Sequence, residues 1–273
     1  MFHLKIMLLI SVLALISGCA SNRVSFPGYE YSDIPKLRGS LMLPEGNGPF
    51  PAVIIVNGCS GILPSHGMWA RWLSDNGYAS LILDSFGPRN VREICTNFER
   101  LPIAKRVLDA YAALSYLGDL DEIDGQRIGI MGFSNGGSVT LDVASRMMAS
   151  RQKDLPHKFA AAIAVYPSCR FRAQDYTVPT RILIGELDDW TPVSLCDHLL
   201  SIIMNNSEPV DMKVYEGAHH GFDNMVATTF LPNVLNENRR GRGATVGGNS
   251  AALASAKRDT LEFLEKHMPA NFQ

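Results

Sequence analysis

Short apolar runs alternate with amphipathic segments along most of the chain, and this alternation constrains the fold more than any other feature. The runs are rich in Val, Ile, Leu and Ala and have the length of buried strands: residues 41–43, 52–56, 79–83, 127–131, 159–165, 181–184 and 212–215. Several are apolar on both faces, as strands covered by helices are. We therefore predict a single-domain α/β fold with a mostly parallel central sheet and helices on both faces.

Composition limits the class of protein. The 273 residues are 46% hydrophobic, which is enough for one large buried core, and no break in composition indicates a second domain. The 25 basic and 27 acidic side chains give a formal net charge of −2. A chain of this charge has no polybasic field to hold phosphates, so we expect no nucleic-acid partner.

The first residues differ from the rest of the chain. Lys5 precedes an apolar run over residues 6–16, and Ser17 and Gly18 lie directly before Cys19. The run is too short to span a membrane comfortably and is typical of an export signal, although an N-terminal strand or helix of the fold is the alternative. Residues 16–19 resemble the lipobox of bacterial lipoproteins, in which the cysteine is lipidated.

This resemblance implies a signal peptide over residues 1–18, a lipid on Cys19 and a tether over residues 19–30, with the folded domain over residues 31–273. The protein is then exported and held by the Cys19 lipid anchor on a membrane, facing the periplasm. Ala20 follows Cys19, where enteric-type sorting to the inner membrane uses Asp, so we expect the outer membrane.

Four cysteines remain if Cys19 carries the lipid: Cys59, Cys95, Cys169 and Cys196. An even number in an exported protein favours disulfides, and buried thiols are the alternative. Four cysteines allow three pairings, and their spacing does not choose between them. No Cys or His spacing indicates a metal site, and no cofactor is implied.

A glycine-rich motif follows the predicted strand at residues 127–131. Residues 132–136 read Gly-Phe-Ser-Asn-Gly, and a helical segment follows over residues 138–149. A sharp strand-to-helix turn that exposes a serine needs glycine on both sides of Ser134, because larger neighbours would clash. Ser134 is therefore a candidate nucleophile, and the alternative is a glycine-rich turn that binds nothing or cradles a phosphate.

Candidate partners for Ser134 follow two later strands. Asp188 and Asp189 come after the strand at residues 181–184, and His219 and His220 come after the strand at residues 212–215. The carboxyl ends of parallel strands meet at one edge of a sheet, so these side chains can converge on Ser134. In such a triad the histidine takes the serine proton and the carboxylate orients the histidine.

The motifs together resemble the dienelactone hydrolase family of α/β-hydrolases, over nearly the whole chain after the signal. The residues that carry the resemblance are 57–61, 84–89, 132–137, 185–192 and 218–222. The family pattern matches the acid to Asp188 and the histidine to His220, with Asp189 and His219 as the alternatives. Founding members of the family use a cysteine where this chain has Ser134, which points to a general ester or acyl hydrolase.

The resemblance also implies the groups that hold the oxyanion. The backbone N–H of Asn135, after the nucleophile, and that of Cys59, in the loop after the strand at residues 52–56, are the candidates; a tight turn without this role is the alternative for residues 57–61. The Cys59 thiol is then incidental or bonded to Cys95. In this family the positions of Cys169 and Cys196 lie close together, so we predict that bridge.

Several other prominent residues are predicted to have structural rather than catalytic roles. Trp69 and Trp72, spaced as neighbours on a helix, are predicted to pack, whereas Trp190 either packs or lines the pocket. Residues 227–250, with scattered glycine and Arg239, Arg240 and Arg242, are predicted to form a long surface loop, an anion site being the alternative. Three histidines whose spacing does not match that of metal ligands are predicted to lie at the surface or in loops: His66, His157 and His198.

The sequence thus predicts a serine hydrolase that cleaves a small-molecule ester or related acyl bond. Two alternatives remain open: a peptidase of the same fold, and a non-catalytic lipid-anchored binding scaffold that has kept the fold. No protein partner is implied.

Overall fold

The structure is a computed structural model that describes residues 21–30, 32–170, 172–236 and 241–270. The predicted signal peptide over residues 1–18 and the predicted lipidation site, Cys19, lie outside these ranges. Within them, no helix has both the length and the apolar character needed to cross a membrane.

An eight-stranded sheet forms the centre of the domain. Its strands are β1 Asn22–Pro27, β2 Lys36–Met42, β3 Phe50–Val56, β4 Ala79–Asp84, β5 Ile123–Phe133, β6 Phe159–Val165, β7 Thr180–Gly185 and β8 Val210–Tyr215. Their order across the sheet is β1-β2-β4-β3-β5-β6-β7-β8. The β1–β2 and β2–β4 pairs are antiparallel, and every pair from β4 to β8 is parallel. The predicted mostly parallel sheet is confirmed.

Helices cover both faces of the sheet. They are α1 Pro64–Asp75, α2 Ile103–Gly118, α3 Asn135–Ala144, α4 Arg146–Arg151, α5 Val193–Ser201 and α6 Ser250–His267. Two glycines of β5 point to opposite faces: a Cβ on Gly129 would meet Met268 at the end of α6, and a Cβ on Gly132 would meet Thr140 of α3. Strands β3, β5 and β6 are therefore buried on both sides, which explains their unbroken apolar runs.

The sheet begins earlier than predicted. Residues 22–27, which we assigned to a tether over residues 19–30, form β1 and pair in antiparallel register with β2. Phe26 is buried and stacks on Tyr116 of α2 with ring centroids 4.6 Å apart. Burial of this aromatic ring holds the short edge strand on the domain, so the folded domain begins by residue 22 and not at residue 31.

The prediction of a long surface loop over residues 227–250 is wrong. This segment contains β9 Thr229–Asn236 and β10 Gly241–Val246, which form an antiparallel two-stranded sheet, the β9–β10 hairpin. Loops hold the hairpin: Leu235 N donates to Cys95 O at 2.8 Å, and the buried Asn236 amide donates to Asp189 O at 3.1 Å. Arg239 and Arg240 lie outside the described residues, and Arg242 donates to the Asn233 carbonyl.

Candidate active site

Ser134 lies at the turn between β5 and α3 in a conformation that few residues adopt. Its φ is 55° and its ψ is −118°, and its N–H donates to Val165 O at 2.9 Å. The flanking glycines are required sterically: a Cβ on Gly132 would lie 2.1 Å from Gly136 O, and a Cβ on Gly136 would lie 2.2 Å from Val56 O. The predicted strand-turn-helix arrangement is present, and it holds the serine in a strained position at the carboxyl edge of the sheet.

His220 and Asp188 lie next to Ser134 in a hydrogen-bonded series. His220 Nε2 lies 2.9 Å from Ser134 Oγ, and His220 Nδ1 lies 2.8 Å from Asp188 Oδ2. The Asp188 carboxylate also accepts hydrogen bonds from the backbone N–H groups of Trp190 and Thr191 and from the Thr191 hydroxyl, at 2.8–2.9 Å. Both side chains are almost fully buried, so this set of contacts fixes their orientation.

The neighbouring residues do not take these positions. The Asp189 carboxylate accepts hydrogen bonds from Thr245 N at 2.7 Å and from Thr245 Oγ1 at 3.1 Å. His219 Nδ1 lies 3.2 Å from the carbonyl oxygen of Leu187. The structure therefore brings Asp188 and His220, and not Asp189 and His219, to Ser134.

The residues that carry the two predicted oxyanion amides, Asn135 and Cys59, lie close to Ser134. Asn135 is the first residue of α3, so its N–H has no acceptor within the helix, and the helix N-terminus adds partial positive charge. The loop carrying Cys59 packs directly against the serine, since a Cβ on Gly58 would lie 3.3 Å from Ser134 Cβ. Cys59, Asn135 and Ser134 line the same cavity.

Two disulfides lie within the part of the chain that the structure describes. Cys169–Cys196, the predicted pair, joins the segment after β6 to α5, and Cys59–Cys95 joins the loop after β3 to a segment near the hairpin. Ile94 N also donates to Cys59 O at 2.8 Å. The second bridge and this hydrogen bond tie down the loop that carries the Cys59 amide.

Arg106, on α2, was missed by the sequence analysis. Its side chain is fully buried, Nη2 donates to Asn57 O at 2.6 Å and Nη1 donates to Asn135 Oδ1 at 2.5 Å. Burial lowers the pKa of Arg106 to about 10, so the guanidinium remains charged at neutral pH. One cation thus links the loop that carries Cys59 to the residue after the nucleophile. The available signal was a pair of charged residues, Arg106 and Asp109, among the largely apolar positions that this helix buries.

Aromatic rings enclose His220. Tyr166 lies on one side with ring centroids 4.6 Å apart, and Trp190 lies 4.8 Å away. The Tyr166 hydroxyl donates to Asp223 at 2.6 Å, and the indole N–H of Trp69 donates to the same carboxylate at 3.1 Å. Burial raises the pKa of Asp223 and raises that of Tyr166 well above its ordinary value. Trp69 packs as predicted, while Trp190, left open by the sequence, belongs to the site.

His66 differs from the surface position that we predicted. It is buried in the first turn of α1, where its Nδ1 accepts a hydrogen bond from Leu63 N at 2.8 Å. Burial lowers the pKa of His66 to about 4. Within the described ranges, no group of three or more His, Cys, Asp or Glu side chains is placed to hold a metal ion.

Two cavities meet at Ser134, and Cys59 and Trp190 line both of them. The first cavity, about 320 Å³ in volume, extends toward the start of α2 and is bounded by Leu101, Ile103, Asn135, Ser138 and Arg172. The second cavity, about 240 Å³, extends toward α1 and the β9–β10 hairpin and is bounded by Leu63, Phe133, Tyr166, His220, Leu231 and Val246. The hairpin thus closes one side of the site.

The sheet order, the serine turn and the helices on both faces define the α/β-hydrolase fold. The chain belongs to the Dienelactone hydrolase family, whose model matches residues 37–268. The dienelactone hydrolase structure from Anabaena variabilis superposes with a TM-score of 0.65 at 17% identity, over 91% of this chain and 98% of that one.

Two curated relatives are more similar to this chain in sequence than the Anabaena variabilis protein is. Cutinase est1 of Thermobifida alba is 27% identical over 73% of this chain and 60% of its own length. Human mitochondrial acyl-coenzyme A thioesterase 2 is 30% identical over 41% of this chain, and the match covers only 21% of the thioesterase. These similarities identify a hydrolase.

Proposed function

We propose that this protein hydrolyses a small-molecule ester through a covalent acyl-enzyme on Ser134. The proposal rests on one observation: Ser134, His220 and Asp188 form a continuous hydrogen-bonded series where two cavities meet. Serine needs an adjacent base to become a useful nucleophile at neutral pH, and a buried, oriented imidazole is such a base.

Each residue has a defined part in the reaction. His220 Nε2 takes the proton as Ser134 Oγ attacks the ester carbonyl, and Asp188 stabilises the cation that forms on His220. The N–H groups of Asn135 and Cys59 hold the oxyanion, helped by the N-terminus of α3. His220 then gives the proton to the departing alcohol, and water releases the acid by the same steps in reverse.

The size of the site favours a small ester over a peptide. The two cavities have volumes of about 320 and 240 Å³, and the β9–β10 hairpin borders both of them through Leu231 and Leu235. Similarity to a cutinase and to an acyl-coenzyme A thioesterase supports an acyl bond to oxygen or sulfur as the bond that is cleaved.

The test is active-site labelling with a fluorophosphonate probe, with phenyl acetate hydrolysis measured in parallel. Ser134→Ala and His220→Ala should each abolish labelling and lower kcat by about 10⁴-fold or more. His219→Ala is the matched control, because this adjacent imidazole contacts only the Leu187 carbonyl among the hydrogen bonds described, and it should keep activity.

Three outcomes would contradict the proposal. Labelling or turnover that survives Ser134→Ala would place the nucleophile elsewhere. A folded wild-type protein that neither labels nor turns over esters would favour the binding scaffold. Faster turnover of peptides than of esters would favour the peptidase.

We also propose that the protein is exported and anchored through a lipid on Cys19, facing the periplasm. The support is the lipobox-like sequence at residues 16–19 alone. Mass spectrometry of the N-terminal peptide from membranes should find acylated Cys19, and Cys19→Ser should release the protein from the membrane fraction. An unmodified Cys19 peptide would contradict the anchor.

A further inference from the structure

The two cavities that meet at Ser134 differ in one respect that bears on the substrate. His220 lines the second cavity and is absent from the walls of the first. Asn135, whose N–H is a candidate oxyanion donor, lines the first cavity and is absent from the walls of the second. The proton donor and this oxyanion donor therefore lie toward different cavities.

This asymmetry orients an ester in the site. In acyl transfer the histidine must deliver its proton to the oxygen of the leaving alcohol, so that oxygen must come within hydrogen-bond reach of Nε2. The alcohol portion must then lie on the His220 side of Ser134, in the second cavity. The acyl chain, attached to the same carbonyl carbon, extends into the first cavity.

The walls of the second cavity select a chemical class. Its described lining includes no Asp, Glu, Lys or Arg. Its apolar walls come from the loop before α1, from β5 and from the hairpin region, and include Leu63, Phe133, Val226, Leu231 and Val246. The imidazole of His66 is neutral at pH 7, because burial lowers its pKa to about 4. A charged group placed here would lose part of its hydration without gaining an oppositely charged partner, which is unfavourable.

The first cavity is larger, and its lining includes two charged residues, Arg172 and the solvent-exposed Glu99. Arg172 Nη1 donates to Asp142 at 2.8 Å, so this cation is already paired. Leu101 and Ile103 supply apolar wall on the α2 side. The cavity therefore provides apolar surface to an acyl chain without an unpaired charge from Arg172.

We propose that the second cavity is the leaving-group site and takes a neutral, apolar alcohol portion such as a phenol, while the first cavity takes the acyl chain. This inference rests on the proposed esterase function and specifies its substrate class. It predicts that esters with a charged alcohol portion are poor substrates. It also predicts that the size limit for the alcohol portion and the size limit for the acyl chain can be changed separately by substitutions in the two cavities.

The charge prediction is tested with phenyl acetate and 4-carboxyphenyl acetate. The two esters share the acyl group, and their leaving phenols have similar acidity, so they differ mainly in a carboxylate on the leaving group. We expect kcat/KM to be at least 10-fold lower for the carboxylated ester. Equal kcat/KM values for the two esters would overturn the assignment of an apolar leaving group.

The orientation is tested with one space-filling variant in each cavity. Leu231→Trp narrows the second cavity, and Ile103→Trp narrows the first. Leu231→Trp should lower kcat/KM for naphthyl acetate at least 10-fold relative to methyl acetate and leave the dependence on acyl length unchanged. Ile103→Trp should lower kcat/KM for phenyl octanoate at least 10-fold relative to phenyl acetate and leave the preference among acetates unchanged.

The reversed pattern would show that the two sites are exchanged, and an equal effect of both variants on both series would show that no such separation exists. Failure of the proposed function is recognised separately, because wild-type protein would then give no Ser134-dependent turnover of any ester. Circular dichroism and fluorophosphonate labelling confirm that each tryptophan variant is folded and has a competent serine.

Discussion

The two disulfides offer a test that separates stability from catalysis within one chain. Cys59–Cys95 closes a sequence separation of 36 residues and Cys169–Cys196 one of 27. In the chain-entropy model, crosslinks over loops of these lengths stabilise the folded state by about 4 kcal/mol each. We therefore expect the double variants Cys59→Ala/Cys95→Ala and Cys169→Ala/Cys196→Ala to lose similar free energies of unfolding.

The effects on catalysis should differ. The Cys59–Cys95 bridge holds the loop that packs on Ser134 and carries a candidate oxyanion N–H. Neither Cys169 nor Cys196 lines either cavity. Loss of one oxyanion donor costs about 100-fold to 1000-fold in kcat in other hydrolases. Partial release of the Cys59 loop should therefore lower kcat at least 10-fold, whereas loss of the other bridge should change kcat less than about twofold.

The assay combines urea unfolding with steady-state hydrolysis of phenyl acetate. Kinetics are measured at a temperature where circular dichroism shows both double variants to be folded, so that any change in kcat is not a loss of native protein. Equal losses of kcat in the two variants would refute the reasoning, because catalysis would then follow global stability and not the position of the Cys59 loop. An unchanged kcat without Cys59–Cys95 would show that the loop keeps its position unaided.

Three further predictions concern buried contacts near the site. Arg106→Met should remove both of these hydrogen bonds of the guanidinium, lower the free energy of unfolding by about 3 kcal/mol and lower kcat more than it changes KM. Arg106→Lys should partly restore kcat. Equal effects of the Met and Lys variants on kcat would contradict the linking role. Gly58→Ala should lower kcat, because its Cβ would lie 3.3 Å from both Ser134 Cβ and Phe133 O, and Gly67→Ala, with no atom within 4 Å of its Cβ, is the control that should keep kcat. The pKa of His66 is about 4 in the folded protein and about 6.5 in the unfolded chain. The neutral imidazole therefore makes its full contribution to the free energy of unfolding above pH 6.5, and about 3 kcal/mol of that free energy is lost as the pH falls toward 4. Urea unfolding at pH 7 and pH 4 should therefore show a smaller acid loss in His66→Gln than in wild type, and an equal loss in the two proteins would refute this effect.

The parallel sheet and the serine turn could be predicted because their signals are local in sequence. Buried strands read as unbroken apolar runs, and the steric demands on Gly132 and Gly136 confine the turn to one short motif. Asp188 and His220 were predicted through the family pattern, since their neighbours Asp189 and His219 carry the same functional groups. Only the folded loops distinguish the members of each pair.

The parts that were missed depend on contacts between distant segments. Strand β1 is a short run whose burial comes from Phe26 meeting Tyr116 on α2, some ninety positions away. The β9–β10 hairpin lies outside the main sheet and is fixed by Asn236 and Leu235, neither of which produces a periodic pattern. Arg106 resembles an ordinary helix cation until the loops that it joins are in place.

The adjacent carboxylates Asp188 and Asp189 connect the predicted and the unpredicted parts of the site. Asp188 binds His220 Nδ1, and Asp189 binds the backbone and hydroxyl of Thr245 in β10. One turn after β7 therefore orients the proposed base and also positions the hairpin that borders the leaving-group cavity. Because a single peptide bond joins the two contacts, the hairpin cannot shift far without disturbing the turn that holds His220. The shape of the substrate site and the alignment of the proposed catalytic groups are thus set by the same few atoms.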